Sequence, residues 1–263
     1  MTEVATPPNF VGGLGIELWI EGDLALGRAE VQPSFFKPGT DRVRMGVLAT
    51  LVDMVAGSPA HAVINPTIDL RVSLLEDAPT RGPIELVCYP VKIGQRLFIG
   101  ETLLHTGDPS RPFARSVSTF LNRPLEVDRG EQKKWPANEL GSPTYDEALQ
   151  LRESVPGTFE MDLHEVVRNG ANGTIQGGAQ ALMAELAGER ALADHDGDHD
   201  GDHEIVDLEI RYLNKVMNGP VLATGEVIPG GVDGTYVRVP MIEPAPDGRI
   251  VALTTLLARP AHG

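Results

Sequence analysis

Alternating polar and apolar residues predict a β-hairpin near the start of each half of the chain. Each hairpin is read from two alternating segments that flank a short turn of glycine, proline or acidic residues. The segments are 16–20 and 24–31 in the first half, and 148–154 and 158–163 in the second. A turn at 21–23 or at 155–157 separates the two segments.

A helical run follows each hairpin, over Met45–Ala56 in the first half and over 178–192 in the second. Both runs are rich in Ala, Leu, Met and Val, and apolar residues nearly surround them, which is typical of a helix buried inside a fold. Longer alternating segments come next, and we expect them to form strands. They are 66–75, 83–93, 96–106 and 113–122, then 204–213, 220–228, 234–243 and 249–257.

The two halves are copies of one pattern. The segment 68–75 returns as 206–213, Gly82-Pro83-Ile84 returns as Gly219-Pro220-Val221, and 118–124 returns as 254–260. Three blocks in the same order at a nearly constant offset indicate a tandem duplication. Each copy reads as hairpin, one buried helix and meander, which predicts an α+β fold with an antiparallel sheet wrapped around one long buried helix. We therefore expect a tandem double hotdog.

The domain boundaries follow from the duplication. We expect a first hotdog repeat over 1–125, a linker over 126–141 and a second hotdog repeat over 142–263, with the two sheets joined edge to edge. The segment 194–203, rich in Asp and His, has no counterpart in the first repeat. We interpret it as a solvated, dispensable loop rather than a metal site.

Composition narrows the classes of function. The chain has 41% hydrophobic and 22% charged residues and a formal net charge of −15, which fits a folded protein that repels nucleic acid and anionic membrane surfaces. The sequence shows no targeting segment and no apolar run of the roughly 18 to 20 residues that span a bilayer. We therefore expect a cytoplasmic location. The single cysteine, Cys88, lies in a strand-like run and is interpreted as a small buried hydrophobe.

Two carboxylates stand out because each lies inside an apolar helix. Asp53 and Glu185 occupy matching positions in the two copies. Burial of an unpaired carboxylate costs several kcal/mol or raises its pKa. Either both side chains reach solvent or pair with an arginine, or they belong to a functional site.

The second helix opens with Gly177 and Gly178. Adjacent glycines at a helix start allow a ligand to approach the backbone, and free N–H groups reinforced by the helix dipole suit a developing oxyanion. A tight packing contact is the alternative interpretation.

With the hotdog topology, these motifs resemble the hotdog-fold thioesterase superfamily in its phenylacetyl-CoA thioesterase-like branch. That branch carries His-Gly-Gly at the helix start and Asp or Glu nine residues after the His. Here Gln176-Gly177-Gly178 precedes Glu185 by nine residues, and Arg44-Met45-Gly46 precedes Asp53 by nine. The branch also places Ser or Thr at the start of the strand after the helix, two residues before an Asp, where this chain has Thr67 in one repeat and Ile205 in the other.

The resemblance implies composite sites that draw residues from both repeats. One site would combine the catalytic residues Asp53, Thr67, Gln176, Gly177 and Gly178. A second, degenerate site would combine Glu185 and Gly46 with Arg44, Met45 and Ile205. The implied activity is hydrolysis of an acyl-CoA substrate with Asp53 as base or nucleophile, without a cofactor or a metal. A homodimer of double-hotdog chains is compatible with this assembly.

Two alternatives stay open. A non-catalytic acyl-CoA-binding hotdog protein would also carry Gln176 in place of the histidine of the branch. A hotdog hydratase or dehydratase would need a histidine paired with an acid, for which the sequence offers only His105 and His164 near strand ends.

Overall fold

A computed structural model describes most of the chain. The described residues are 9–58, 63–64, 66–121, 123–124, 132–134, 144–169, 173–196, 203–228, 234–244 and 248–260. None of the helices in these ranges combines the length and the apolar character that crossing a bilayer requires.

Among its described residues, the first repeat contains two helices and eight strands, besides a 3-10 turn at Pro33–Phe35. In chain order they are α1 (Phe10–Gly13), β1 (Glu17–Glu21), β2 (Leu24–Glu30), α2 (Met45–Ala56), β3 (Val63–Ile64), β4 (Thr67–Leu74), β5 (Pro83–Ile93), β6 (Leu97–His105), β7 (Ala114–Leu121) and β8 (Arg123–Pro124). The short strands β3 and β8 pair with each other.

The remaining described elements follow β8 along the chain. They are β9 (Gln132–Lys134), α3 (Tyr145–Ala148), β10 (Arg152–Val155), β11 (Thr158–Met161), α4 (Gly177–Asp196), β12 (His203–Tyr212), β13 (Val221–Thr224), β14 (Glu226–Ile228), β15 (Thr235–Glu243) and β16 (Arg249–Pro260).

The main sheet has 14 strands and runs through both repeats. Its order is β10-β11-β13-β15-β16-β12-β4-β7-β6-β5-β2-β1-β9, with β14 paired to β15. The antiparallel pair β4–β12, called the seam below, joins the two repeats and confirms the edge-to-edge prediction. Arg71 lies opposite Glu209 at its centre, and these two residues are equivalent in the repeat, so the seam is an approximate two-fold junction.

Each seam strand carries an irregularity at the same repeat position. The register shifts between Thr67 and Asp69 on β4, and between Ile205 and Asp207 on β12. A bulge redirects the side chains beside it and bends the strand. Thr67 and Ile205 are thereby placed at equivalent ends of the seam.

The predicted helices are confirmed, and the second is longer than expected. Helix α2 covers Met45–Ala56 as predicted, whereas α4 covers Gly177–Asp196 and includes 194–196, which we had assigned to a loop. His203 begins β12, so only 197–202 of the expected loop remain, and these lie outside the described residues.

Two local predictions were wrong. Residue Ala148 ends the short helix α3, capped by the Thr144 hydroxyl, and does not begin a strand. The expected strand 220–228 is broken at Gly225, where a Cβ atom would lie 2.7 Å from Ala191 Cβ on α4. Within the segment that we expect to link the repeats, the short strand β9 pairs with β1 at the edge of the sheet.

The helices α2 and α4 cross at glycines. A Cβ atom on Gly46 would lie 2.5 Å from Leu182 Cα, and one on Gly178 would overlap the side chain of Thr50. Gly46 and Gly178 are equivalent in the repeat, and so are Thr50 and Leu182. This close approach brings the middle of each helix next to the first turn of the other.

Candidate active site

The first half of the candidate site consists of Asp53 on α2 and Thr67 at the bulge of β4. The Thr67 hydroxyl donates a hydrogen bond to Asp53 Oδ1. Burial raises the pKa of Asp53 from 3.8 to about 6, and the hydrogen bond from Thr67 opposes that rise. Asp53 therefore carries a carboxyl group that changes protonation just below neutral pH.

The second half of the site is the start of α4. The Gln176 backbone N–H donates to the Val167 carbonyl, and its side-chain Nε2 donates to the Arg168 carbonyl, both at 2.9 Å. The side chain is buried, and its Oε1 atom has no hydrogen-bond partner among the described residues. Gln176 is thus anchored by one amide N–H, while its oxygen stays available as an acceptor.

The N–H groups of Gly177 and Gly178 make no hydrogen bond to any described residue. The first amides of a helix lack partners within the helix and carry the positive end of its dipole. Gly178 packs against Thr50, and Thr50 lies one helical turn before Asp53 on α2. The crossing of the helices therefore brings these amides toward the Asp53 carboxyl.

Tyr212, for which the sequence pattern predicts no role, contacts both halves of the candidate site. Its hydroxyl donates to the Gly177 carbonyl at 2.9 Å. Burial, and then the negative charge of Asp53, raise the pKa of this tyrosine well above its usual value. Tyr212 stands at the position of Leu74 in the first repeat, and this exchange of leucine for tyrosine was a signal available in the sequence.

The equivalent arrangement around Glu185 differs in one decisive way. Glu185 Oε1 accepts a hydrogen bond from the Met45 N–H at 3.0 Å, and Oε2 accepts one from the Gly46 N–H at 2.8 Å. Both donors occupy the first turn of α2. The amides that correspond to Gly177 and Gly178 are therefore already occupied by a carboxylate of the chain itself.

Arg44 ties this second arrangement into an ion-pair cluster. The buried guanidinium lies 2.5 Å from Asp146 and 2.7 Å from Glu189, and its Nη1 atom lies 3.8 Å from Glu185 Oε1. Lys37 contacts Glu189 at 3.2 Å. Burial raises the pKa of Glu185, whereas Arg44 and the two amides act in the opposite direction. Glu185 thus fits the interpretation that a buried helix carboxylate pairs with an arginine, and it also caps the facing helix.

The difference between Asp53 and Glu185 has a simple geometric cause. Glutamate is one methylene longer, so Glu185 reaches the amides of the facing helix. Asp53 is shorter and has Thr67 as its hydrogen-bond donor, whereas the equivalent Ile205 offers no hydroxyl. We call the first arrangement the Asp53 site and the second the Glu185 site.

The remaining candidates from the sequence are Cys88, His105 and His164. Cys88 is buried in β5, and burial raises the pKa of its thiol to about 11, as fits a small core residue. His105 accepts a hydrogen bond from the Gly107 N–H and lies 3.6 Å from Glu85, while His164 contacts the Leu149 carbonyl. Each histidine thus makes these contacts within its own repeat. The described residues contain no cluster of metal-ligating side chains.

Comparison with known proteins gives a fold but no close relative. No protein-family model matches the chain, and no curated protein matches its sequence. A conserved protein of unknown function with a hot dog fold from Alicyclobacillus acidocaldarius matches with a TM-score of 0.66 at 12% identity, covering 97% of this chain and 98% of that chain.

Two further solved structures match over nearly their whole length. The tesB protein of Mycobacterium avium subspecies paratuberculosis gives a TM-score of 0.65 at 13% identity, covering 93% of this chain and 96% of that chain. The acyl-CoA thioesterase II TesB2 of Mycobacterium marinum gives 0.60 at 14% identity, covering 97% and 99%. With the observed topology, these matches identify the fold of the chain as a tandem double hotdog.

Proposed function

We propose that the chain hydrolyses acyl-CoA thioesters at the Asp53 site, which is composed of residues from both repeats. The observation that carries the proposal lies in the contrast between the two sites. Met45 and Gly46 hold two carboxylate oxygens at 3.0 and 2.8 Å, whereas the equivalent amides of Gly177 and Gly178 have no partner among the described residues. At the Glu185 site, the equivalent amides of α2 bind a carboxylate, which supports binding of an anionic oxygen by the amides of α4.

The proposed reaction uses Asp53 as a general base. Its carboxylate removes a proton from a water molecule, whose oxygen attacks the thioester carbonyl carbon. The carbonyl oxygen becomes an oxyanion, held by the N–H groups of Gly177 and Gly178. When the carbon–sulfur bond breaks, the leaving thiolate takes the proton back from Asp53, and the products are a carboxylic acid and free CoA.

The surroundings of Asp53 fit this role. A base is most effective when its pKa lies near the working pH, and burial raises the pKa of Asp53 to about 6. The hydrogen bond from Thr67 fixes one carboxylate oxygen and leaves the other to contact water. Gln176 Oε1 adds a buried acceptor at the same helix start, suited to a donor on the substrate or on the attacking water.

The likeness to thioesterases supports the same reaction class. Besides the acyl-CoA thioesterase II of Mycobacterium marinum, the matching folds include a 12:0-ACP thioesterase from Umbellularia californica, with a TM-score of 0.55 at 11% identity. These proteins act on thioesters of an acyl group. The chemistry that we propose is therefore one for which this fold is used elsewhere.

Binding of an acyl-CoA without hydrolysis is the second candidate function. It is favoured by Gln176, whose side chain cannot titrate near pH 7 and is anchored on the Arg168 carbonyl. In this case the amides of Gly177 and Gly178 would hold the thioester oxygen and Asp53 would not activate water.

Release of free CoA from a panel of short, medium, long and aromatic acyl-CoAs tests the proposal. We expect turnover by the wild-type chain and its loss in Asp53→Asn, which keeps the size of the side chain but cannot accept a proton. Asp69→Asn, two residues after Thr67 on β4, serves as the matched control. Saturable binding of an acyl-CoA without CoA release would favour the binding protein, and neither binding nor release would overturn both functions.

A further inference from the structure

Tyr212 lies at the end of the seam, beside the catalytic half contributed by the first repeat. It is the last residue of β12, which pairs with β4 on one side and with β16 on the other. The residue before it, Arg211, lies opposite Asp69, and Thr67 follows just beyond the bulge. A strand with partners on both sides holds a side chain in a well-defined place.

From this place Tyr212 contacts the first residue of α4. Its hydroxyl donates to the Gly177 carbonyl at 2.9 Å. A Cβ atom on Gly177 would lie 3.0 Å from the hydroxyl oxygen and 3.1 to 3.3 Å from the ring carbons Cζ and Cε1. The absence of a side chain at Gly177 therefore allows the tyrosine ring to pack directly on the backbone.

The carbonyl of Gly177 and the N–H of Gly178 belong to one peptide plane. A hydrogen bond to this carbonyl fixes the orientation of the plane, and it polarises the amide so that the N–H at the other end becomes a better donor. Gly178 corresponds to Gly46, whose N–H binds Glu185 at 2.8 Å. Tyr212 is thus hydrogen-bonded to the same peptide that carries the anion-binding N–H.

The Glu185 site lacks this device. The residue equivalent to Tyr212 is Leu74, which has no hydroxyl, and the amide equivalent to that of Gly177 belongs to Met45. There the Gly46 N–H is held by the Glu185 carboxylate. Thr67, Gly177 and Tyr212 all belong to the Asp53 site, and the equivalent residues of the other site, Ile205, Met45 and Leu74, have apolar side chains.

We infer that Tyr212 is a positioning residue, which orients and polarises the Gly177–Gly178 peptide so that its N–H stabilises the oxyanion formed during thioester hydrolysis. The inference rests on the function proposed above. It assigns a defined task to the tyrosine hydroxyl, separate from the packing of its ring. The hydroxyl acts on the transition state through the peptide and does not touch the reacting atoms.

Tyr212→Phe tests this role, because it removes the hydroxyl and keeps the ring against Gly177. Loss of a direct oxyanion donor lowers kcat by about 100- to 1000-fold, so loss of a group that only supports the donor should lower kcat by about 10-fold, with KM within about 2-fold of wild type. Tyr236→Phe on β15 is the control, since that tyrosine is exposed. The Gly178 amide proton resonance should move upfield in Tyr212→Phe and stay in place in the control.

The outcomes separate this inference from the proposed function. Wild-type kcat in Tyr212→Phe, with an active wild-type chain, would overturn the positioning role and leave the hydrolase intact. A wild-type chain that releases no CoA would overturn the hydrolase and with it the task of Tyr212. A lower kcat accompanied by an equal loss of folded protein, measured by circular dichroism, would make the hydroxyl a structural group only. Tyr212→Leu, which copies the residue of the first repeat, should be at least as impaired as Tyr212→Phe when folded.

Discussion

The Glu185 carboxylate caps the first turn of α2, with its Oε2 atom 2.8 Å from the Gly46 nitrogen. A carboxylate of α4 thus occupies the first amides of α2, whereas the equivalent amides of α4 have no partner among the described residues. The two sites of one chain therefore differ in accessibility as well as in residue type. The predictions below use this difference, because each residue of one site has an equivalent in the other.

Activity should depend on Asp53 far more than on Glu185. Asp53→Ala removes the general base and should lower kcat/KM by about 100-fold or more, as is usual for such a loss. Glu185→Ala removes a helix cap and should lower it much less. CoA release by the two variants, each checked for folding by circular dichroism, decides the matter. Equal losses would mean two working sites, and full activity in Asp53→Ala would place the site elsewhere.

The pH profile should report the Asp53 carboxyl. Because the base must be ionised and its pKa is raised to about 6, kcat/KM should fall about tenfold per pH unit below that value and level off above it. Thr67→Val removes a hydrogen bond that lowers the pKa, so its acidic limb should lie at higher pH than that of the wild type. An unchanged limb would show that another group controls the rate.

The contribution of Asp53 to the stability of the fold should fall as the pH rises toward neutral. Its pKa of about 6 in the folded chain exceeds the ordinary 3.8, so the folded state binds more protons between these values. Its stabilising contribution is complete below about pH 4 and is lost as the pH rises through 6. Relative to wild type, Asp53→Asn should therefore gain at most about 3 kcal/mol of unfolding free energy between pH 4 and pH 8.

Urea unfolding at both pH values measures this gain. Asp23→Asn, in the exposed turn of the first hairpin, is the matched control. A stability difference that does not change with pH would contradict the burial of an ionisable Asp53. We expect Asp53→Asn to be more stable than the wild type near neutral pH and inactive, because a catalytic carboxyl in an apolar helix lowers stability.

Glu185 should matter for stability instead. Glu185→Ala leaves the Met45 and Gly46 amides without an acceptor and removes one acid from the Arg44 cluster, which should destabilise the fold by about 3 kcal/mol. Thermal or urea unfolding measures the effect. Glu153→Ala, which removes an exposed partner of Arg190, should change the unfolding free energy by less than about 1 kcal/mol. Similar values for both variants would refute the capping role.

The two glycines of α4 should respond differently to alanine. In Gly177→Ala the new Cβ atom meets the Tyr212 side chain at 3.0 to 3.3 Å, so we expect a folded chain with strongly reduced CoA release. In Gly178→Ala it overlaps Thr50 at the helix crossing, so we expect a clear fall in melting temperature. An active, stable Gly177→Ala would show that this helix start does not contact the substrate.

The sequence predicted the architecture well because the duplication provided an internal check on every element. The same spacing placed a buried helix and a seam strand in both repeats, and Asp53 and Thr67 were paired before their hydrogen bond was observed. Periodicity could not reveal β9, since three residues carry no pattern, or the break at Gly225, which is caused by a helix that passes close to the strand.

The contacts between the repeats were the hardest part to predict. The motif alone predicts that Arg44 belongs to a degenerate site, but its partners Asp146 and Glu189 come from the other repeat, 102 and 145 positions away. Tyr212 was visible as an exchange for Leu74, yet its partner Gly177 is identified only by the path of the chain. Long-range partners of polar side chains follow from tertiary geometry, which one sequence does not encode in its local pattern.

The seam has a consequence for how such a chain can change. In a symmetric dimer of single hotdogs, every substitution appears in both sites. A substitution that makes one site more stable but less active therefore does the same to the other site. In this chain the two repeats are separate segments of one sequence, so a residue on one side of the two-fold junction can change while its equivalent on the other side stays the same. The Asp53 site can keep the amides of its helix start available for a substrate, while the Glu185 site, with its ion pairs and capped helix, stabilises the fold. Division of labour inside one polypeptide then needs no second gene product.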